Sequence, residues 1–106
     1  MSMPELDRAQ RDAALEKAAA ARRVRAAAKV ELKTGARSLA SVLDAAEEDQ
    51  ALAKLKVVDL VAAMPAYGPV KAERLMASLR IAPSRRVRGM GIRQRAALLA
   101  AFEPHR

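Results

Sequence analysis

The chain of 106 residues has no cysteine and no tryptophan, and its only aromatic residues are Tyr67 and Phe102. Without cysteine it has no disulfide framework and no thiolate for catalysis or metal binding, which suits a reducing cytoplasm. Two rings do not form a platform for stacking successive bases, so single-stranded nucleic acid is a poor ligand. The same scarcity removes the Trp and Phe anchors of basic membrane-surface helices.

Long apolar runs are absent as well. No stretch approaches the roughly 20 apolar residues that cross a membrane. The first residues, with Glu5, Asp7 and Arg8, do not form a secretory signal. We therefore expect a soluble cytoplasmic protein with no membrane partner, built as one domain or as a small domain with an arm.

Few groups could support catalysis. The single histidine, His105, stands beside the last residue, where chain ends fray. No Walker-type or dinucleotide-binding glycine motif is present. An acidic segment consists of Asp44, Glu47, Glu48 and Asp49. Its spacing is not that of a calcium loop, and we interpret it as a solvated helix end. We expect no enzyme activity, metal, cofactor or small-molecule substrate.

The net charge of +8 is distributed unevenly. Residues 1–37 carry nine basic and five acidic side chains, residues 38–69 two basic and five acidic, and residues 70–106 nine basic and two acidic. This pattern predicts two basic surfaces separated by an acidic middle. Because stacking rings are scarce, a duplex backbone is the anionic partner that fits best.

Helical periodicity dominates. Residues 5–33 are rich in Ala, Arg, Lys, Leu and Glu and contain neither Gly nor Pro, which predicts one long helix ending at Thr34-Gly35. We predict an all-α fold in which a long basic N-terminal helix or arm, residues 1–37, joins a compact head of four or five helices, residues 38–106.

Helix-capping residues and the spacing of apolar residues predict where the helices of the head begin and which side chains face inward. Ser38 and Asp49 are expected to cap two helices, and Pro69 to take the first position of another. In the last helix, from about residue 92 to 102, the residues expected inside are Ala96, Leu99 and Phe102.

The long helix has two stripes. The apolar stripe, expected to pack on the head, is Ala21, Val24, Ala28 and Leu32. The basic stripe, expected roughly opposite it, is Arg8, Arg11, Arg22, Arg25, Lys29 and Lys33. A basic stripe is either a solvated face or a contact surface, and the first half of the helix is expected to project as an arm.

Two segments suit anionic oxygen. In Pro65-Ala66-Tyr67-Gly68-Pro69 one helix ends and another begins, and Gly68 would let a ligand reach free backbone N–H groups. Lys71 and Arg74 follow on the new helix. The second segment places Arg85, Arg86 and Arg88 beside Gly89, and arginine forks bind phosphate in a bidentate manner. A plain helix connection and a solvated loop are the alternative interpretations.

The chain resembles the actinobacterial integration host factor family over nearly its whole length. The resemblance is carried by Ala13-Ala14-Leu15-Glu16-Lys17-Ala18-Ala19-Ala20-Ala21-Arg22-Arg23, Lys54-Leu55-Lys56-Val57, the turn, and Ile81-Ala82-Pro83-Ser84-Arg85-Arg86-Val87-Arg88-Gly89. It implies a long helix joined to a helix–two-turns–helix module, a module also seen in a ribosomal small-subunit protein. It further implies a nucleoid protein that binds double-stranded DNA with little sequence preference, bends it, and supports compaction or phage integration.

The resemblance also implies site residues. Gly68, Lys71 and the start of the following helix would hold backbone phosphates, with the arginine loop as a second contact and the basic helix touching DNA farther along. The full candidate set is Gly68, Lys71, Arg74, Arg85, Arg86, Arg88, Gly89, Arg22, Arg25, Lys29 and Lys33.

The chain departs from the family's turn in two places. The usual Pro-x-Val-Gly-Lys has Tyr67 and Pro69 here in the Val and Lys places, which removes one charge and one N–H donor. Tyr67 either donates a hydrogen bond to phosphate or only fills the turn.

Two other partner classes are open at this point. Structured RNA also offers rows of phosphates, and the long helix could pair with a partner helix. Because its apolar positions are mostly alanine and lack a heptad seam, we expect a monomer in solution.

Overall fold

The computed structural model describes residues 4–103 and is helical throughout that range, apart from loops and one isolated β-bridge. The elements in chain order are α1 Pro4–Thr34, α2 Leu39–Ala45, α3 Gln50–Ala53, α4 Val57–Ala62, α5 Gly68–Ser78, a 3-10 turn Val87–Gly89 and α6 Ile92–Ala101. The prediction of an all-α fold with a long first helix is confirmed. His105 lies outside the described residues.

The long helix ends where the sequence predicts. Gly35 has a φ of +80°, the left-handed conformation that glycine adopts without steric cost. The Arg37 N–H donates to the Glu31 carbonyl at 3.2 Å and so closes the last turn. Residues 7–17 are all exposed, and the molecule measures 64 × 27 × 25 Å because this part of α1 projects beyond the head.

The apolar and basic stripes of α1 are adjacent, not opposite. Ala28 and Leu32 are buried in the core, whereas Val24 remains 37% exposed. Arg25 and Lys29 are half-buried. Successive residues of a helix are separated by about 100°, so Lys29 follows Ala28 directly onto the neighbouring face. The prediction that the basic stripe lies roughly opposite the apolar stripe was therefore wrong.

Side-chain caps start the short helices of the head. The Ser38 hydroxyl accepts from the Ser41 N–H at 3.1 Å, and an Asp49 carboxylate oxygen accepts from the Ala51 N–H at 2.9 Å. Each satisfies one of the backbone donors that a helix start leaves free. Both caps predicted from the sequence are confirmed.

The core of the described residues is entirely apolar and joins all the helices. Its members are Ala28, Leu32, Leu39, Val42, Leu43, Ala46, Leu52, Leu55, Val57, Leu60, Val61, Ala72, Met76, Ile81, Val87 and Leu98. Within residues 4–103, none of the helices has the length and apolar composition of a membrane span.

The inward face of α6 differs from the prediction. Ala96 is exposed, Leu98 is completely buried, and Leu99 and Phe102 are half-buried against the core. Helical spacing alone did not distinguish the two faces, because α6 carries apolar residues at all of its last six positions. Packing against the shared core is what selects Leu98.

We expect Leu98→Ala to lower the free energy of unfolding by about 2–5 kcal/mol, because it leaves a cavity in a closed apolar core. The matched surface change, Ala96→Ser, should alter it by no more than about 0.5 kcal/mol. Urea unfolding followed by circular dichroism measures both. Equal effects of the two variants would contradict the observed orientation of α6.

Candidate nucleic-acid interface

The connection between α4 and α5 is a pair of tight turns. The Tyr67 N–H donates to the Met64 carbonyl at 3.1 Å across Pro65 and Ala66. Ala66 has a φ of +64° and Gly68 a φ of +80°. A proline at the second position of a turn and a positive φ at the third are features of a type II turn. The two left-handed residues, Ala66 and Gly68, lie so close together that the chain reverses its direction within a few residues.

The start of α5 presents free backbone donors. No side chain caps it, and no acidic residue lies in its first turn. Pro69 lies in the first or second position of α5, which agrees with its predicted placement, and Gly68 with its positive φ precedes it. The N–H groups of Gly68, Val70 and Lys71 belong to this turn, and such donors at a helix start favour an anion.

Tyr67 fills the turn. Its ring stacks on Phe102 with centroids 4.9 Å apart at 51°, and the Lys71 ammonium lies 5.5 Å from the centre of the Tyr67 ring. This cation–π contact holds the Lys71 charge beside the turn. Of the two roles considered for Tyr67, the observed contacts support packing.

The arginine loop is fastened to the junction of α3 and α4. The Val57 N–H donates to the Arg85 carbonyl at 2.9 Å, and the Val87 N–H donates to the Leu55 carbonyl at 2.9 Å. These bonds form an antiparallel β-bridge between Lys56 and Arg86. The loop is therefore held on both sides of Arg86 by main-chain bonds.

Two of the three loop arginines also have intramolecular partners. Arg85 donates through Nη1 to the Gly89 carbonyl at 3.0 Å, and Arg86 donates through Nη1 to the Lys54 carbonyl. Each guanidinium has five N–H donors, so both retain donors for phosphate. These bonds fix where the charges lie before any ligand arrives.

A basic groove forms where α1 meets the loop. It encloses about 480 Å³ and is lined by Arg25, Lys29, Lys54, Leu55, Lys56, Asp59, Arg86 and Arg88. We call this set the basic groove. Its cations come from three separate stretches of sequence, the second half of α1, the α3–α4 junction and the arginine loop. Six cations and one carboxylate around one groove create a strongly positive local potential.

A second depression extends the basic groove along α4. Lys29, Val30, Lys33, Asp59, Ala62 and Ala63 line it. Lys29 and Asp59 belong to both depressions, so the positive surface continues toward the end of α4, after which the turn begins. Lys33 is therefore associated with the basic groove.

The remaining candidates lie elsewhere. Arg22 is exposed on α1 outside the groove, and Gly68, Lys71 and Arg74 lie on α5 and its start. Arg85 and Gly89 line a shallow depression on another side of the loop, which also includes Arg86 and Arg88.

Three charged groove residues are not among the candidates predicted from the sequence, namely Lys54, Lys56 and Asp59. Lys54 and Lys56 flank buried Leu55. This alternation could have indicated the two lysines as surface cations, because it places both of them on the outer side of the junction. No feature of the sequence indicated that Asp59 would line the groove.

The acidic segment has a structural role. Arg95 of α6 forms ion pairs with Asp44 and, at 3.8 Å, with Glu47, and so links α6 to α2. Asp49 caps α3. Over residues 4–103, no cluster of three metal-ligating side chains is present.

The fold defines the class of the protein. Residues 32–102 match the S13-like H2TH domain family, whose hallmark is the helix–two-turns–helix module described above. The chain is also similar to a solved structure of sIHF bound to an 8-base-pair palindromic DNA, with a TM-score of 0.81 and 44% identity. That match covers 83% of this chain and 99% of the solved one.

Relatives identify the family. The chain is 54% identical to the integration host factor of Mycolicibacterium smegmatis over 97% of its own length and 98% of the relative. It is 55% identical to that of Mycobacterium tuberculosis over 96% and 97%. For that of Streptomyces coelicolor, the identity is 46% over 96% and 95%. The chain belongs to the actinobacterial integration host factor family.

We expect substitutions of Arg86 and Arg88 to change the free energy of unfolding by different amounts. Arg86→Ala removes the bond to the Lys54 carbonyl and should lower the free energy of unfolding by about 0.5–1.5 kcal/mol. Arg88→Ala should change it by less than about 0.5 kcal/mol. Chemical denaturation measures the difference. If Arg88→Ala were the more destabilising change, the position assigned to the Arg86 guanidinium would be incorrect.

Asp59 opposes anion binding, because its carboxylate is the one acidic group lining the basic groove. We expect Asp59→Asn to strengthen binding of a DNA duplex about two- to fivefold at low salt, the scale of one screened charge interaction. Fluorescence anisotropy with a labelled duplex measures this. Glu48→Gln is the control, because it changes the net charge equally at an exposed position outside the groove. An equal gain in both variants would contradict a local role for Asp59.

Proposed function

We propose that this chain is a nucleoid-associated architectural protein that binds double-stranded DNA through its phosphate backbone. The observation that carries the proposal is the convergence of cations from α1, the α3–α4 junction and the arginine loop on the basic groove. The similar solved chain is bound to DNA, and relatives aligned over nearly the whole chain are integration host factors.

The contacts predicted are mainly with phosphates. Arginine, lysine and free helix-start N–H groups neutralise and position a backbone, but carry no sequence information directly. The affinity should therefore come mainly from counterion release and vary little among unrelated duplexes. Any preference would follow how readily a sequence bends.

We propose two contact regions. The first is the start of α5, with Gly68, Lys71 and Arg74. The second is the basic groove together with Arg85, Gly89 and Lys33. Arg22 would extend the contact along the projecting helix, so that residues 1–37 act as an arm and residues 38–106 as the head. Two separate contacts on one chain would allow it to bend or compact the DNA between them, as a monomer and without catalysis.

Anisotropy titrations of several unrelated duplexes across a salt series test this function. We expect similar affinities that fall steeply with salt, and we expect Arg88→Ala to reduce the slope of log K against log salt by up to about 0.9, one phosphate contact. Arg37→Gln is the matched control, because Arg37 lies outside the groove and pairs with Glu31.

The same titrations distinguish the alternatives. An RNA duplex that competes better than DNA would favour a structured-RNA ligand. A strong preference for one DNA sequence would indicate base readout. Absence of binding at low salt would overturn the proposal.

A further inference from the structure

Ile92, the first residue of α6, is 87% exposed. Single exposed apolar residues are common on protein surfaces and need no explanation alone. Ile92, however, occupies a first-turn position where an acidic residue would interact favourably with the helix dipole. It also has no share in the core, which Leu98 supplies for this helix.

The surroundings of Ile92 are apolar on one side and cationic on the other. It lines a depression of about 450 Å³ with Leu43, Ala46, Glu47, Ala53, Val87, Arg88, Met90 and Arg95. Arg95 is engaged with Asp44 and Glu47. Arg88 lines both this depression and the basic groove, and exposed Arg93 follows Ile92 in sequence. The apolar surface is therefore continuous with the surface proposed to hold phosphates.

We propose that Ile92 is an apolar wedge that inserts against the base edges of the bound duplex and partly unstacks one base step. Arg88 and Arg93, on either side of it in sequence, would hold the flanking phosphates. The inference rests on the proposed function and adds to it a means of bending the DNA. Proteins that kink DNA insert Ile, Leu, Met, Phe or Pro side chains between base steps while cations hold the backbone on both sides.

The positive charge near Ile92 favours DNA over a protein as the partner that contacts this side chain. Ile92 shares a depression with Arg88, which also lines the basic groove, and exposed Arg93 follows it in sequence. This combination matches a ligand with an anionic rim and an apolar interior. A duplex has that construction, with phosphates outside and stacked bases inside. Isoleucine is β-branched and its χ1 is restricted, so the wedge loses little side-chain freedom on insertion.

The experiment uses the full chain and duplexes labelled at both ends for energy transfer. A second set of duplexes carries 2-aminopurine, whose fluorescence rises on unstacking, at successive steps. The variants are Ile92→Ala, Ile92→Val and, as control, Ala96→Ser, at an exposed position of the same helix that lines neither the depression around Ile92 nor the basic groove. Binding is measured in parallel across a salt series.

We expect Ile92→Ala to lose most of the fluorescence rise and of the end-to-end shortening, and Ile92→Val to retain more of both. The salt slope should not change, because no charge is removed. Ala96→Ser should behave as the unmodified protein. If Ile92→Ala bends and unstacks DNA as the unmodified protein does, the wedge is refuted while duplex binding stands. If the unmodified protein binds no duplex, the proposed function itself fails.

A self-association surface would also refute the wedge. In that case the unmodified protein would show a concentration-dependent mass by sedimentation, and Ile92→Ala would abolish it without changing the DNA bend.

Discussion

The candidate interface depends on two main-chain hydrogen bonds that hold the arginine loop to the α3–α4 junction. Val57 donates to the Arg85 carbonyl and Val87 to the Leu55 carbonyl. Both valines and Leu55 are buried, so water cannot easily replace these bonds and the apolar core keeps them in place. Without this attachment, the loop charges would have no defined position relative to α1. A loop that looks like a mobile charged connection in the sequence is therefore a rigid wall of the groove.

The parts of the fold that depend on local chemistry could be predicted from the sequence. The caps at Ser38 and Asp49 and the stop at Gly35 each require only neighbouring residues, and all three are observed. The inward face of α6 could not be predicted, because apolar residues surround its last turns and only the packing direction selects Leu98 over Ala96. The Lys56–Arg86 bridge joins residues far apart in sequence, and the short alternation of polar and apolar residues around Leu55 does not indicate which segment pairs with it.

The candidate site was predictable as a set of cations but not as a groove. Arg25, Lys29, Arg86 and Arg88 are recognisable from charge and spacing, yet their meeting depends on how α1 crosses the head. Since the basic stripe lies next to the apolar stripe, burial of Ala28 and Leu32 brings Arg25 and Lys29 to the edge of the head. An opposite placement would have directed them into solvent. One face of α1 packs on the head and the neighbouring face lines the basic groove. The contacts that fix the helix therefore also position its cations.

The departures in the turn shift the expected balance between the two contact regions. Pro69 contributes no N–H donor and no charge at the start of α5, while Tyr67 is occupied by Phe102 and Lys71. In the proposed interface, the turn would therefore position a phosphate mainly through the remaining backbone N–H groups and the Lys71 charge. The basic groove is lined by six cations, and counterion release scales with the number of phosphates neutralised. We infer that the groove supplies most of the affinity in this chain, and that the turn sets the register of the duplex.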